Sequence, residues 1–136
     1  MADLTLRIGA EAENVALARR ALEGLLSGAP PEVIADAKLA VTEACMNAIL
    51  HAYGDAEGAI DVDAHLEPER VELAVRDYGA GLGSDQGSAR PNAGLGLRLI
   101  RAVSNDLQIN TAPGRGTEIR IGLGPSGEGA SEPRPV

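Results

Sequence analysis

The strongest constraint on the fold is an alternation of apolar and polar residues with period two, which recurs in five separate segments. Because successive side chains of a strand point to opposite faces, such segments predict strands with one buried and one solvated face. Strands of a doubly wound parallel sheet are apolar on both faces, so the pattern favours helices on one side only. The apolar positions are Leu4, Leu6 and Ile8; Ile60, Val62, Ala64 and Leu66; Val71, Leu73 and Val75; Leu107 and Ile109; and Ile119, Ile121 and Leu123.

Three segments with helical spacing supply the covering layer. We predict helices over Glu13–Leu26, Glu32–Ala52 and Leu95–Val103. The short, turn-rich links 67–70 and 113–115 each join two strands and are typical of antiparallel hairpins. The predicted fold class is therefore α/β (α+β): a two-layer sandwich of a mixed, largely antiparallel five-stranded sheet with three helices on one face.

The chain of 136 residues suits one domain, which we place at residues 1–124. Residues 125–136 are dominated by Gly, Pro, Ser and Glu, so we predict a disordered C-terminal tail. The stretch Gly79–Gly94 has little hydrophobic content and predicts a long mobile loop, a type of segment that often covers a ligand.

Charge and composition exclude several function classes. Twelve Lys and Arg against 20 Asp and Glu give a net charge of −8, which repels nucleic acid. Tyr53 and Tyr78 are the only aromatic residues, so base-stacking platforms cannot be assembled. Cys45, His51 and His65 lack the spacing of a zinc site. With no secretory signal and no membrane-length apolar run, we expect a soluble cytoplasmic protein.

Three polar residues on the second predicted helix form the first candidate element of a site. Glu43, Asn47 and His51 are spaced by four and so share one edge of an α-helix, beside small apolar neighbours. A solvated polar face gives the same pattern, and His51 equally suits a structural role at the helix end.

Two glycine-rich runs form the second and third elements. Asp77 ends an apolar strand and precedes Gly79 and Gly81, which places a fixed acceptor for an exocyclic amine beside open backbone. The run 92–97 opens the third helix, whose free N–H groups suit a phosphate. Ordinary glycine-rich turns are the plain alternative for each run. Neither run fits the Rossmann or P-loop pattern.

In this order, and with Gly116-Thr117 opening the last strand, the elements resemble the GHKL ATP-binding (HATPase) family. The form Glu43-Ala44-Cys45-Met46-Asn47-Ala48-Ile49-Leu50-His51-Ala52-Tyr53 is similar to the anti-sigma factor serine kinase branch, which is SpoIIAB- and RsbW-like. The similar boxes continue with 77–81, 94–97 and 116–117, so the resemblance covers nearly the whole chain from Leu4 to Leu123.

The resemblance implies an ATP-binding fold of the Bergerat type and a role for each matching residue. Asp77 would receive the adenine amine, Asn47 would bind Mg²⁺ through its amide oxygen, and Glu43 would be the general base. The remaining cofactor-binding residues would be Gly79 and Gly81 against adenine, Gly94, Leu95 and Gly96 at the phosphates, and Thr117 near adenine. Tyr53 and Tyr78 are the only rings on which adenine could stack.

The family also implies a function, which is an anti-sigma regulatory factor that phosphorylates a serine on an anti-anti-sigma (STAS) partner and sequesters a sigma factor. Homodimerisation is expected as well. The branch often carries a lid arginine next to the first glycine of the 94–97 box, whereas here Arg90 is the nearest. This departure keeps open an ATP-binding regulatory module without kinase activity. A detached histidine-kinase-type ATPase domain is a further alternative, against which the sequence argues because His51 lies inside the predicted ATP site.

Overall fold

The computed structural model describes residues 3–53, 58–68, 70–79, 93–112 and 116–124. The side chains of residues 51–53, 93–96 and 112 are not part of this description. The elements in chain order are β1 (Leu4–Gly9), α1 (Ala12–Leu25), α2 (Pro31–Asn47), a π-helical segment (Ala48–Tyr53), β2 (Ala59–Glu67), β3 (Arg70–Asp77), α3 (Ala93–Val103), β4 (Asp106–Ala112) and β5 (Gly116–Leu123).

The five predicted strands are confirmed and form one sheet of order β1-β2-β3-β5-β4. Each neighbouring pair is antiparallel, so the described sheet is antiparallel throughout rather than mixed. The hairpins β2–β3 and β4–β5 follow from their short links. The connection that carries α3 places β4 at the far edge and β5 beside β3.

The core lies between one face of this sheet and the helices, as the alternation predicts. Aliphatic side chains from α1, α2 and α3 cover the apolar positions of the strands, and this packing buries them from water. The buried strand residues are Ile8, Ile60, Val62, Ala64, Val71, Leu73, Val75, Ile119, Ile121 and Leu123, and the helices add, among others, Val15, Leu22, Val41, Ala44 and Ile100.

The second predicted helix, Glu32–Ala52, is α-helical in its first part and π-helical in its last. Pro31 occupies its first turn, where the absent N–H group is not needed, and α-helical winding ends at Asn47. Residues Ala48–Tyr53 continue as a π-helix, a wider winding that is rare and often found at functional sites. The spacing of four from Asn47 to His51 therefore spans a change of winding.

The third helix begins at Ala93, two residues before the predicted start. Gly94 was predicted to be the last residue of the preceding loop, but it lies within α3. The predicted lid residues 80–92, with Gly81 and Arg90, and the predicted tail 125–136 lie outside the described residues. Within the part that is described, no helix is both long and apolar enough to cross a membrane.

Candidate functional site

The candidate site is built around a carboxylate at the end of a buried strand. Along β3 the residues Val71, Leu73 and Val75 face the helices, and the alternation places Asp77 next in that row. The residue is only 6% exposed, which is unusual for an aspartate. The sequence thus places one carboxylate in the core layer, at the end of the central strand of the sheet.

The two carboxylate oxygens of Asp77 have different surroundings. Oδ1 accepts the backbone N–H groups of Gly79 at 3.0 Å and of Thr117 at 3.2 Å. Among the described residues no donor lies within hydrogen-bonding distance of Oδ2. Burial raises the pKa of this carboxyl, and the two backbone bonds act against that rise. The arrangement leaves one acceptor atom fixed and available for a donor group of a ligand.

The start of β5 closes this end of the sheet. Gly116 has a φ of +91°, and a Cβ built there would lie 2.2 Å from the Asp77 carbonyl oxygen. A glycine is therefore required for this close approach. Thr117 is 4% exposed, and its hydroxyl lies 3.0 Å from the Thr111 hydroxyl on β4.

A small cavity of about 220 Å³ opens at these residues. It is lined by Arg76, Asp77, Asn110, Thr111, Gly116, Thr117 and Glu118. A larger cavity of about 840 Å³ lies at the other end of β3, where Val33, Leu66 and Val71 give it mostly apolar walls. Of the predicted site residues, Asp77 and Thr117 line the smaller cavity.

Helix α2 brings two further predicted site residues to the layer above β3 and β5, against which it packs. Asn47, in its last turn, is 8% exposed, and no hydrogen bond to its side-chain amide occurs within the described ranges. A buried amide without a partner is costly, so a ligand or ion is the expected partner. Glu43 lies one turn earlier and is half-buried.

The first turn of α3 contains Gly94, Leu95 and Gly96, and α3 packs against α2. The first N–H groups of a helix have no partner within it, and the helix dipole makes that end attractive to anions. The backbone of this turn is therefore compatible with a phosphate site, which stays a prediction from the glycine run.

The structure does not link every predicted residue directly. Gly79, Thr117 and Asp77 are joined by hydrogen bonds, whereas no hydrogen bond among the described residues connects Asp77 with Glu43 or Asn47. The α-helical edge predicted for Glu43, Asn47 and His51 holds only as far as Asn47, because π winding follows.

Tyr78 does not lie on the helix-covered face with Asp77. Its hydroxyl donates a hydrogen bond to Asp61, which faces the open side of the sheet. Stacking of adenine on Tyr78 is therefore not supported by this arrangement.

Thr111 and the close approach of Gly116 were not identified from the sequence. The signal for Thr111 was present, because the alternation Leu107, Ile109 continues to it, just as the alternation in β3 continues to Asp77. Which polar strand ends meet depends on the pairing of β4 with β5.

Comparison with known proteins finds matches in sequence and in fold. A family model described as histidine kinase-like ATPase domain matches residues 8–123. The serine-protein kinase RsbW of Listeria innocua is 33% identical over 123 residues, which cover 78% of this chain and 78% of the relative. The anti-sigma F factor of Caldanaerobacter subterraneus is 28% identical over 129 residues, covering 87% and 90% of the two chains.

Solved structures with the same fold include the histidine kinase domain of a blue-light activated histidine kinase from Erythrobacter litoralis. Its TM-score is 0.55 at 17% identity, and the match covers 83% of this chain and 60% of that one. For a longer chain of the same kinase the TM-score is 0.57 at 20% identity, with 83% and 41% covered. The chain thus spans about half of these kinase chains, and the likeness concerns the fold alone.

Proposed function

The chain belongs to the histidine kinase-like ATPase domain family, and on that premise we propose that it binds ATP with Mg²⁺, phosphorylates a serine on an anti-anti-sigma (STAS) partner and sequesters a sigma factor. Relatives named anti-sigma F factor and serine-protein kinase RsbW support this proposal. The observation that carries it is the buried Asp77 carboxylate, which has one oxygen held by two backbone N–H groups and a second oxygen that meets no donor among the described residues.

Adenine recognition is assigned to the strand-end residues. The open oxygen of Asp77 accepts the exocyclic amine, a group that adenine has and guanine lacks at the same position. Gly79 and Gly81 allow the base to approach the backbone, and Thr117 provides a further polar group beside it. Specificity for a hydrogen-bonding group in such a buried site is strong, because the wrong base leaves the carboxylate unpaired.

Phosphate and metal binding are assigned to α2 and α3. The described ranges contain no cluster of three His, Cys, Asp or Glu side chains suited to a metal ion. A hydrated Mg²⁺ held by phosphate oxygens and a single amide would need no such cluster. The buried amide of Asn47, which has no hydrogen-bond partner among the described residues, fits that requirement. When bound, Mg²⁺ supplies charge neutralisation at the phosphates. The first turn of α3, with Gly94, Leu95 and Gly96, holds phosphate oxygens through its N–H groups.

Phosphoryl transfer is assigned to Glu43. Its carboxylate accepts the proton of the serine hydroxyl while the serine oxygen forms the bond to the γ-phosphorus, and the bond to the bridging oxygen breaks to release ADP. Glu43 is half-buried, so part of its side chain remains exposed to a protein substrate.

The test is incubation of the purified chain with γ-labelled ATP, Mg²⁺ and a STAS-domain protein, followed by mapping of the label. Label on a serine is the expected result. Bound ATP without transfer would replace the kinase by a regulatory module whose nucleotide only orders the protein. Label on a histidine of this chain would instead favour a histidine-kinase-type ATPase domain.

Sigma factor binding is tested separately, by capture on the immobilised chain with and without ATP and identification by mass spectrometry. Recovery of a sigma factor by the wild-type chain supports sequestration. The oligomeric state, which we propose to be a homodimer, is measured on the same sample by light scattering. An acidic protein of net charge −8 is suited to a basic partner.

A further inference from the structure

Two neighbouring rows of side chains cross the sheet near the strand ends where the site lies. The first row faces the helices and pairs Ile60 with Asp77 and Asp77 with Thr117. The second row, one residue away on every strand, faces the open side. We name it the charge row, and its cross-strand partners in order are Arg7, Asp61, Arg76 and Glu118.

The side chains of the charge row alternate in sign, and hydrogen bonds join them in two pairs. Arg7 donates to both carboxylate oxygens of Asp61, at 2.7 and 2.9 Å, and Arg76 donates to Glu118. The Arg7 bonds lower the pKa of Asp61 to about 2, so that carboxylate is ionised at neutral pH. The row therefore presents a fixed acceptor on β2, directly behind the strand end that carries Asp77.

Tyr78 connects this row to the site. It follows Asp77 in the chain, and its side chain turns to the open face, where the hydroxyl donates to Asp61 Oδ2. The Arg7 guanidinium carbon lies 5.7 Å from the centre of its ring, within the range of a cation–π contact. The side chain is thus held by a hydrogen bond at its tip and by a cation over its ring.

The turn of Asp77, Tyr78 and Gly79 is consequently held from both faces of the sheet. On the helix side, Asp77 Oδ1 accepts the Gly79 N–H group at 3.0 Å. On the open side, the bond from Tyr78 to Asp61 restrains the residue between them. The direction of the Asp77 carboxylate depends on the bonds that Oδ1 accepts from Gly79 and Thr117. The Tyr78 contacts restrain the backbone that carries the Gly79 donor and so help to keep that direction.

We propose that Tyr78 is a positioning residue that aims the Asp77 carboxylate at the exocyclic amine of adenine. The proposal rests on the proposed function, since it assumes that Asp77 receives that amine. It assigns Tyr78 to nucleotide selectivity rather than to general stability of the fold. Asp61, as the acceptor of the Tyr78 hydroxyl, serves the same role from β2.

The test compares ATP with inosine triphosphate, which carries a carbonyl oxygen where adenine carries its amine. Affinities of both nucleotides are measured by titration calorimetry at the same Mg²⁺ concentration for the wild-type chain, Tyr78→Phe and Asp61→Asn. The expected result is a ratio of ATP to inosine triphosphate affinity that falls about three- to tenfold in Tyr78→Phe, the size of one lost hydrogen bond. The ratio falls less in Asp61→Asn, because the amide oxygen remains as a neutral and weaker acceptor. The phosphate contacts, common to both nucleotides, cancel in the ratio.

Asp63→Asn is the matched control. Asp63 lies on the same strand and face, two residues from Asp61, and pairs with Ala74 instead of Arg76. The same change of charge there leaves the ratio at the wild-type value. Circular dichroism confirms that each variant is folded. If Tyr78→Phe does not fold, Asp61→Asn tests the same hydrogen bond by replacing its charged acceptor with a neutral one.

The outcomes distinguish a failure of the proposed function from a failure of the proposed role of Tyr78. A wild-type chain that does not bind ATP overturns the proposed function, and the role of Tyr78 with it. A wild-type chain that prefers ATP, combined with an unchanged ratio in Tyr78→Phe and Asp61→Asn, overturns the role of Tyr78 alone. An equal loss of affinity for both nucleotides also overturns it, because a purely structural role predicts that pattern.

Discussion

Asp77 and Thr117 lie opposite each other in the antiparallel strands β3 and β5, and the Asp77 carboxylate accepts the Thr117 backbone N–H group at 3.2 Å. The same oxygen accepts the N–H group of Gly79. One buried side chain thus secures the strand end, and its second oxygen meets no donor among the described residues. The predictions below follow from this division of roles.

The free energy of unfolding of the ligand-free protein depends on pH in part through the buried carboxyl of Asp77. Burial raises the pKa of this carboxyl, so the folded state favours its protonated form, and ionisation costs stability as pH rises from about 3.8 through the raised value. Asp77→Asn keeps an acceptor oxygen and has no such cost. We expect the stability of the variant relative to wild type to increase between pH 3 and pH 7, measured by urea unfolding. A difference that is independent of pH, or that decreases, would contradict this account.

Gly116→Ala is expected to damage both the fold and the site. The left-handed backbone alone costs about 1–2 kcal/mol for a residue with a Cβ, and the added atom meets the Asp77 carbonyl oxygen. ATP affinity should fall together with the unfolding temperature.

The matched control for this substitution is Gly24→Ala in α1, where a Cβ has no atom within 4 Å. That variant should gain about 0.5–1 kcal/mol of stability and leave ATP affinity unchanged. Wild-type stability and affinity in Gly116→Ala would show that the close approach is not needed.

Asn47→Leu separates metal binding from stability. Leu keeps the branching at Cγ but is larger than Asn, so crowding opposes the gain from removing a buried amide for which the described residues offer no hydrogen-bond partner. Because the two effects act in opposite directions, we expect the variant to remain folded. The increase of ATP affinity on addition of Mg²⁺ should be lost. The measurement is a pair of ATP titrations, one with Mg²⁺ and one with a chelator. A wild-type response to Mg²⁺ in this variant would exclude Asn47 as the ligand.

Glu43→Gln tests the general base. We expect serine phosphorylation of a STAS partner to slow by about 10²–10⁴-fold, the usual contribution of such a group, with ATP affinity retained. Glu32→Gln, in the exposed first turn of the same helix, removes the same charge and should transfer phosphate at the wild-type rate. Equal rates for Glu43→Gln and wild type would remove Glu43 from the mechanism.

The sequence predicted the layers of the fold because alternation and helical spacing are local properties. The apolar positions of β2, β3 and β5 became the core except Leu66 of β2, which is 41% exposed, and the strands joined by short links paired antiparallel. The strand order could not be predicted in the same way, because the position of β5 between β3 and β4 depends on contacts that are distant in the chain. The π winding after Asn47 was missed for a similar reason, since hydrophobic periodicity does not distinguish it from an α-helix.

The candidate site was predictable where a polar residue breaks an apolar row, as Asp77 does. The role of Gly116 was not, because the sequence cannot reveal that its Cα passes close to the Asp77 carbonyl group. The direction of Tyr78 was likewise not predictable. Its side chain follows the partner Asp61 on β2, which is a property of the strand register rather than of either segment alone.

The central claim, that the Asp77 carboxylate receives the adenine of ATP, is tested most directly by titration calorimetry of Mg²⁺ and ATP into the wild-type chain and into Asp77→Asn. The loss of a hydrogen bond to a charged acceptor predicts an affinity about 10- to 100-fold lower in the variant. Asp63→Asn, which changes the same charge on the open face, is expected to bind as the wild type does. Equal affinities of wild type and Asp77→Asn for ATP would contradict the account.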